Sequence, residues 1–189
     1  MSRLIARALL LLALLAVAAC GDSDPGCARL PGGGRYCLQP TTLSEPFEVQ
    51  QRVDISFNGQ RETMIVELEV DADGMRFAGL TPFGHKLVQA HYDNLQVTAD
   101  VVPDKRLDPV LLFAFLQIAL WPADSVRGGL DGALRLDDGV SNRQVFKDGR
   151  LVVDVSYTGM RPPYGNMRID FPLAGMEIEV TTLDGQATK

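Results

Sequence analysis

Apolar and polar residues alternate through almost the whole chain after Phe47, and this period of two constrains the fold more than any other feature. Val53, Ile55 and Phe57 share one side of an extended backbone, Asp54 and Ser56 take the other, and Asn58-Gly59 can supply the left-handed residues of a two-residue hairpin turn. Met64, Val66, Leu68 and Val70 alternate with Glu67 and Glu69 as far as Asp73-Gly74. The pattern continues in residues 75–77, 87–92 and 95–99. After a break it resumes in residues 134–136, 143–146, 151–157, 167–171 and 176–180, with turns expected at Asp138-Gly139, Asp148-Gly149 and Asp184-Gly185. Strands that are apolar on one face, joined by short turns, predict one curved antiparallel sheet whose apolar side needs a cover.

The break supplies the cover. Asp108 can cap a helix, Pro109 suits its first position and Pro122 stops it. Between them, Leu111, Leu112, Phe113, Phe115, Leu116, Ile118, Leu120 and Trp121 leave Gln117 as the one polar side chain. A helix without a polar face is surrounded by protein or lipid, and this one is too short to cross a bilayer. It is expected either to line a cavity on the concave side of the sheet or to fill that side as plain core. A short second helix is expected near residues 125–130, weakened by Gly128-Gly129. The class is therefore mainly β with a helical lid, α+β.

The first residues are of a different kind. Arg3 and Arg7 precede an uncharged apolar run, and Ala16-Val17-Ala18-Ala19 leads into Cys20, the arrangement of a bacterial lipoprotein signal. Residues 1–19 would be removed and Cys20 would carry diacylglycerol, two or more acyl chains being enough for stable anchoring. A plain secretory signal cut after Ala18 is the alternative. Gly21 follows the cysteine, and the absence of Asp there points to the outer membrane, periplasmic face. Without the signal's two arginines, 16 basic residues remain against 24 acidic ones, a formal charge of −8. That balance argues against nucleic acid and against an electrostatic hold on anionic lipid. Membrane lipid is then a partner through the Cys20 anchor, which is the only prosthetic group expected.

Cys27 and Cys37 are the remaining cysteines, and in an oxidising compartment two thiols this close are expected to pair, a metal site being the weaker alternative. Gly32-Gly33-Gly34 between them lacks the Gly-Lys-Ser/Thr of a phosphate loop and reads as a spacer. No catalytic constellation stands out. His85 and His91 are about 20 Å apart on an extended strand, no Gly-x-Ser-x-Gly elbow occurs, and Asp71-Ala72-Asp73-Gly74 has Pro82 where a calcium loop needs Glu. Asp137 and Asp138 read as an acidic turn. No enzyme activity and no metal are expected.

Several stretches, in order, resemble the LolB family of outer-membrane lipoprotein receptors. Residues 75–87, containing Leu80-Thr81-Pro82-Phe83-Gly84, resemble that family's strand, Asn-Pro-Leu-Gly loop and strand; Leu120-Trp121-Pro122 is similar to its Trp and Leu-Pro helical segment; residues 165–180 are similar to its Asn-Met-Glu-Leu hairpin. The closer likeness is to LolB-like lipoproteins that accompany aryl-polyene biosynthesis, and the Cys27/Cys37 pair departs from the LolB pattern. The resemblance implies an incomplete antiparallel β-barrel with a helical lid, LolA/LolB-like, and an apolar cavity for acyl chains, lined from residues 111–121. It implies a delivery loop of Leu80, Pro82, Phe83 and Gly84, with Phe83 either exposed at its tip or folded into the core. It also implies a LolA-like periplasmic carrier and acylated cargo as partners. The expected organisation is a signal at 1–19, a lipidated tether with a disulfide loop at 20–45 and a half-barrel at 46–189. The expected function is non-enzymatic passage of acylated cargo toward the membrane. A periplasmic scaffold for an envelope assembly is the alternative.

Overall fold

Asn58-Gly59, Asp73-Gly74, Asp138-Gly139 and Asp148-Gly149 each close a turn between strands. The structure, a computed structural model, describes residues 25–101, 108–160 and 162–187; Cys20 lies outside them. Along these residues run β1 (Cys27–Arg29), β2 (Arg35–Cys37), β3 (Phe47–Phe57), β4 (Gln60–Val70), β5 (Met75–Leu80), β6 (Lys86–Tyr92) and β7 (Val97–Val101). Helices α1 (Pro109–Leu120) and α2 (Ala123–Gly129) follow, then β8 (Leu134–Asp138), β9 (Asn142–Lys147), β10 (Arg150–Thr158), β11 (Asn166–Phe171) and β12 (Met176–Ala187).

Ten of these strands form one antiparallel sheet in the order β7-β6-β5-β4-β3-β12-β11-β10-β9-β8. Two meanders of five strands are thus sewn together by β3 and β12, paired from Phe57 opposite Met176 to Phe47 opposite Ala187. The edges β7 and β8 do not pair with each other, so the sheet is a half-barrel, not a closed one. In the chain the two helices stand between those edges, with α1 packed against β7 and α2 against β8. The sheet has two ends. Turn 58–59, loop 81–85, turn 148–149 and turn 172–175 share the Phe83 end; turns 71–74, 93–96 and 139–141 and the 159–165 loop share the Leu95 end.

Side chains follow the register. Val53 faces Met64 on one side and Val180 on the other, and Val180 faces Met167, so one apolar row crosses β4, β3, β12 and β11 on the inner face. Helix α1 fits the expected signals: the Asp108 carboxylate accepts from Val110 N–H at 2.9 Å, Pro109 opens the helix, and Trp121 N–H donates to the Gln117 carbonyl at 2.9 Å. Its last carbonyls are answered from the sheet. Arg143 Nη1 donates to the carbonyls of Ile118 and Trp121 at 2.7 and 2.8 Å, and the Tyr157 hydroxyl donates to that of Ala119 at 2.8 Å. A cation at a helix C-terminus also complements the helix dipole.

Four sequence expectations are corrected. Residues 27–37, expected as part of a tether, form the β1–β2 hairpin closed by a Cys27–Cys37 disulfide, and Ala28, Leu30 and Tyr36 are core residues. Its glycine run is not a spacer: Gly32, Gly33 and Gly34 have φ of +87°, +93° and +88°, and a Cβ there would come within 2.5, 2.6 and 2.8 Å of Leu173, Lys147 and Leu134. The strand expected at 95–99 begins only at Val97, because the Asp93 carboxylate accepts from the N–H groups of Leu95 and Gln96 at 2.9 and 2.8 Å and curls the chain into a turn. Asp184-Gly185 is no turn, since β12 runs through it with a bulge and stays paired to β3. Asp137 and Asp138 end β8 ahead of the turn, and Asp138 is salt-bridged to Arg143 at 2.6 Å.

Candidate functional site

Phe83 stands 89% exposed at the tip of the β5–β6 loop. Thr81 N–H donates to the His85 carbonyl at 2.8 Å, Gly84 N–H donates to the Thr81 carbonyl at 2.9 Å, and Gly84 takes a φ of +83° that a side chain would strain. The Thr81 hydroxyl accepts from His85 N–H at 3.1 Å, tightening the turn. Pro82 and Gly84 are exposed with Phe83, whereas Leu80 is half-buried on β5 and is not packed against the core. Of the two placements open to Phe83, the structure has the outward one.

Behind this loop, the apolar lining of the half-barrel reaches the surface. Phe57, the last residue of β3, is 43% exposed opposite Met176. Ile55, Met64, Met176 and Ile178 lie against the core but are only half-buried. Helix α1 contributes on the same side through Phe115, whose ring centroid is 4.3 Å from that of Phe171. A cleft of about 470 Å³ opens at this end along the polar outer face of the sheet, where Ser56, Asp154, Asp170 and Glu177 meet Phe57, Asn58, Phe171, Pro172 and Met176 at the strand ends. Its size lies within the range of small-molecule sites.

The helix residues expected as lining divide into two groups. Leu111, Leu112, Phe115, Leu116 and Leu120 are half-buried, while Phe113, Ile118 and Trp121 are enclosed at 0, 0 and 1% exposure. Gln117 explains the polar interruption: its Oε1 accepts from Gln39 N–H at 2.7 Å and the Tyr36 hydroxyl at 3.2 Å, and its Nε2 donates to the Gln39 carbonyl at 2.8 Å. The amide pins the N-terminal segment across α1. Sequence reasoning missed this segment as a wall of the site, and Ala28, Leu30 and Tyr36 were the signal that could have revealed it. It also missed Met64, Met176 and Ile178 as rim residues, although their alternation placed them on the right face.

The resolved shifts follow from burial, hydrogen bonding and ion pairing. Burial pushes the Tyr36 phenol above its usual range and that of Tyr157 up to about 12, with Arg143 opposing in both cases, so each hydroxyl stays a proton donor. The Asp54 carboxyl is held below its ordinary value chiefly by the Thr63 hydroxyl, against burial, with Arg52 and Arg61 assisting. Among the described residues, every resolved shift takes its group further from pH 7, and no cluster of three His, Cys, Asp or Glu could hold a metal ion. No helix of the described residues is long and apolar enough to cross a membrane.

Fold and site together define an open antiparallel half-barrel, plugged by two helices and a disulfide-closed hairpin, with an apolar rim at one end. The family described as "Protein of unknown function (DUF3261)" matches residues 48–184, and the chain belongs to it. No curated protein matches the chain. Among solved structures it is similar to a LolA superfamily protein from Nitrosomonas europaea, 8% identical with a TM-score of 0.44, the match covering 79% of this chain and 90% of that one. It is also similar to a DUF1329 family protein from Desulfovibrio piger, 11% identical with a TM-score of 0.38, over 78% of this chain and 87% of that one.

Proposed function

We propose that this chain is a lipid-anchored outer-membrane protein, facing the periplasm, that binds an acyl chain or similar elongated apolar cargo at its Phe83 end and passes it on without enzyme chemistry. The observation that carries this reading is that the half-buried inner-face residues Ile55, Met64, Met176 and Ile178, the exposed Phe57 and the exposed Phe83 tip all lie toward one end of the half-barrel. Burial of each cargo methylene contributes about 0.8 kcal/mol, so differences in contact area among donor, site and acceptor give transfer a direction without a nucleotide. Phe83, held out by Pro82 and Gly84, is the exchange tip that first meets the apolar donor or acceptor. The LolB-like motifs in the sequence support acylated cargo and a LolA-like periplasmic carrier as partners.

Native mass spectrometry of residues 21–189 purified from cells tests the binding step. Co-purified lipid, or uptake of a fluorescent fatty acid, is the expected result; neither would refute it. Phe83→Glu should keep the fold and the bound lipid but slow transfer to vesicles. The enclosure of Phe113, Ile118 and Trp121 favours a second reading, a scaffold whose interior is filled by its own side chains. Transfer unchanged by Phe83→Glu would support that scaffold.

A further inference from the structure

Cations on the sheet are matched by carboxylates over most of its surface: Arg61 by Glu179, Arg76 by Glu69, Arg143 by Asp138 and Arg168 by Glu177, all within 2.8 Å. Lys147 and Arg150 are different. Neither has a hydrogen-bond or ion-pair partner among the described residues, and they face each other in the β9–β10 register on either side of turn 148–149, at the Phe83 end. Like charges directly opposed across antiparallel strands are destabilising, so the fold carries a cost here that an anion would remove.

The tip of the β1–β2 hairpin closes on this pair. A Cβ on Gly33 would lie 2.6 Å from Lys147 Nζ and one on Gly32 2.5 Å from Leu173 Cδ1, so the hairpin comes this near only because both positions lack a side chain. Gly32, Lys147, Arg150, Val152 and Leu173 thereby line a cleft of about 80 Å³, whose one carboxylate is Asp148. That is room for two or three waters or for one small oxyanion. Leu173, 50% exposed, gives the cleft an apolar wall beside its cations.

We propose that this cleft binds a phosphate group, the headgroup phosphate of a lipid whose acyl chains take the apolar rim. The lipid part rests on the apolar-cargo reading given under Proposed function; the phosphate part rests on the cleft alone. Two cations against one carboxylate leave the cleft net positive. Arg150 offers a planar fork of donors and Lys147 a compact ammonium, and a tetrahedral phosphate has oxygens for both at once. A fatty-acid carboxylate has two oxygens, which one arginine fork satisfies. The negative charge of the whole chain bears little on so local a site, because screening confines each exposed charge to about 8 Å at physiological ionic strength.

The test is a ¹H–¹⁵N NMR titration of the full chain, acylated in cells and held in a nonionic detergent at low salt, with inorganic phosphate. Saturable shifts of the Gly32 and Gly33 amide signals are expected, with Lys147→Gln and Arg150→Gln each weakening binding about tenfold. Both substitutions relieve the like-charge pair, so the melting temperature should hold or rise. Absence of shifts, or shifts that neither substitution weakens, overturns the site. Native mass spectrometry of the same preparations separates the sources of the phosphate. A phosphorus-bearing lipid retained by the unaltered chain and lost from the double variant supports the lipid; phosphate shifts without such a lipid overturn it in favour of free phosphate. Uptake of a fluorescent fatty acid, measured in parallel, keeps the two readings distinguishable. Uptake without phosphate shifts overturns the phosphate site alone, and phosphate shifts without uptake or bound lipid overturn the cargo reading.

Discussion

Replacing Gln117 with Leu removes the one polar group of an otherwise apolar helix while nearly preserving its volume. The exchange strips partners from the Gln39 N–H, the Gln39 carbonyl and the Tyr36 hydroxyl. Each buried group left unpaired costs about 1–3 kcal/mol, and Gln39 is only half-buried, so the low end of that range applies to its two groups. The three together come to about 3 kcal/mol, of which the added apolar burial of leucine offsets a part. In a domain of this size that lowers the melting temperature by roughly 6–12 °C. Trp121, the only tryptophan, is fully buried and its Nε1 donates to the Pro40 carbonyl at 3.4 Å, so its fluorescence reports release of the same segment in a urea titration. Tyr36→Phe is the internal standard, because it removes a single hydrogen bond and should cost about 1 kcal/mol. A Gln117→Leu protein as stable as the unaltered chain would refute the reasoning, since the amide would then not be what pins the N-terminal segment to α1.

Reducing the Cys27–Cys37 disulfide should destabilise the domain by about 3 kcal/mol in the chain-entropy account, read as the difference between urea midpoints with and without reductant. Arg143→Met should cost about 3 kcal/mol, because Asp138 loses its partner and the carbonyls of Ile118 and Trp121 lose their donor; a melting temperature within error of the unaltered chain would contradict this. Asp54, Glu69 and Asp71 have carboxyls held below their ordinary values, by the Thr63 hydroxyl for Asp54 and by Arg76 for the other two, against burial in each case. Groups depressed in the folded state contribute stability that is complete above the unfolded values near pH 4 and lost as pH falls through the folded ones. Thermal melts should therefore be flat from about pH 7 to 5 and fall below about pH 4, and a rise on acidification would show the sign to be wrong.

Much of the half-barrel was legible one residue at a time. A period of two needs only the residue and its neighbours, so strands, their inner faces, and the turns at Asn58-Gly59 and Asp148-Gly149 could be read directly. The same holds for α1, whose Asp108 cap, Pro109 start and Pro122 stop are local signals. Local reading failed where a short-range cue competes with distant pairing. Asp184-Gly185 has turn chemistry, but pairing with Val49 and Gln50 on β3 holds it in the sheet. Leu95 has strand chemistry, but the Asp93 carboxylate bends it out. The rim of the candidate site was half legible, with Phe83 in view and Met64, Met176 and Ile178 unassigned.

By itself, then, the sequence determined the elements: alternating strands, one helix without a polar face, a cysteine pair, and an exposed aromatic between proline and glycine. Tertiary structure decided how they close on one another. That β3 pairs with β12, that residues 27–37 wall the open side, and that Gln117 answers Tyr36 and Gln39 all depend on contacts between residues about 80 or more positions apart or on a strand added at the far end of the chain. Tertiary structure also separated the Leu95 end from the end bearing Phe83. The physical reason is that side-chain periodicity is a property of a few neighbouring residues, whereas register, closure and orientation are set by which buried surfaces and hydrogen-bonding groups must be satisfied together.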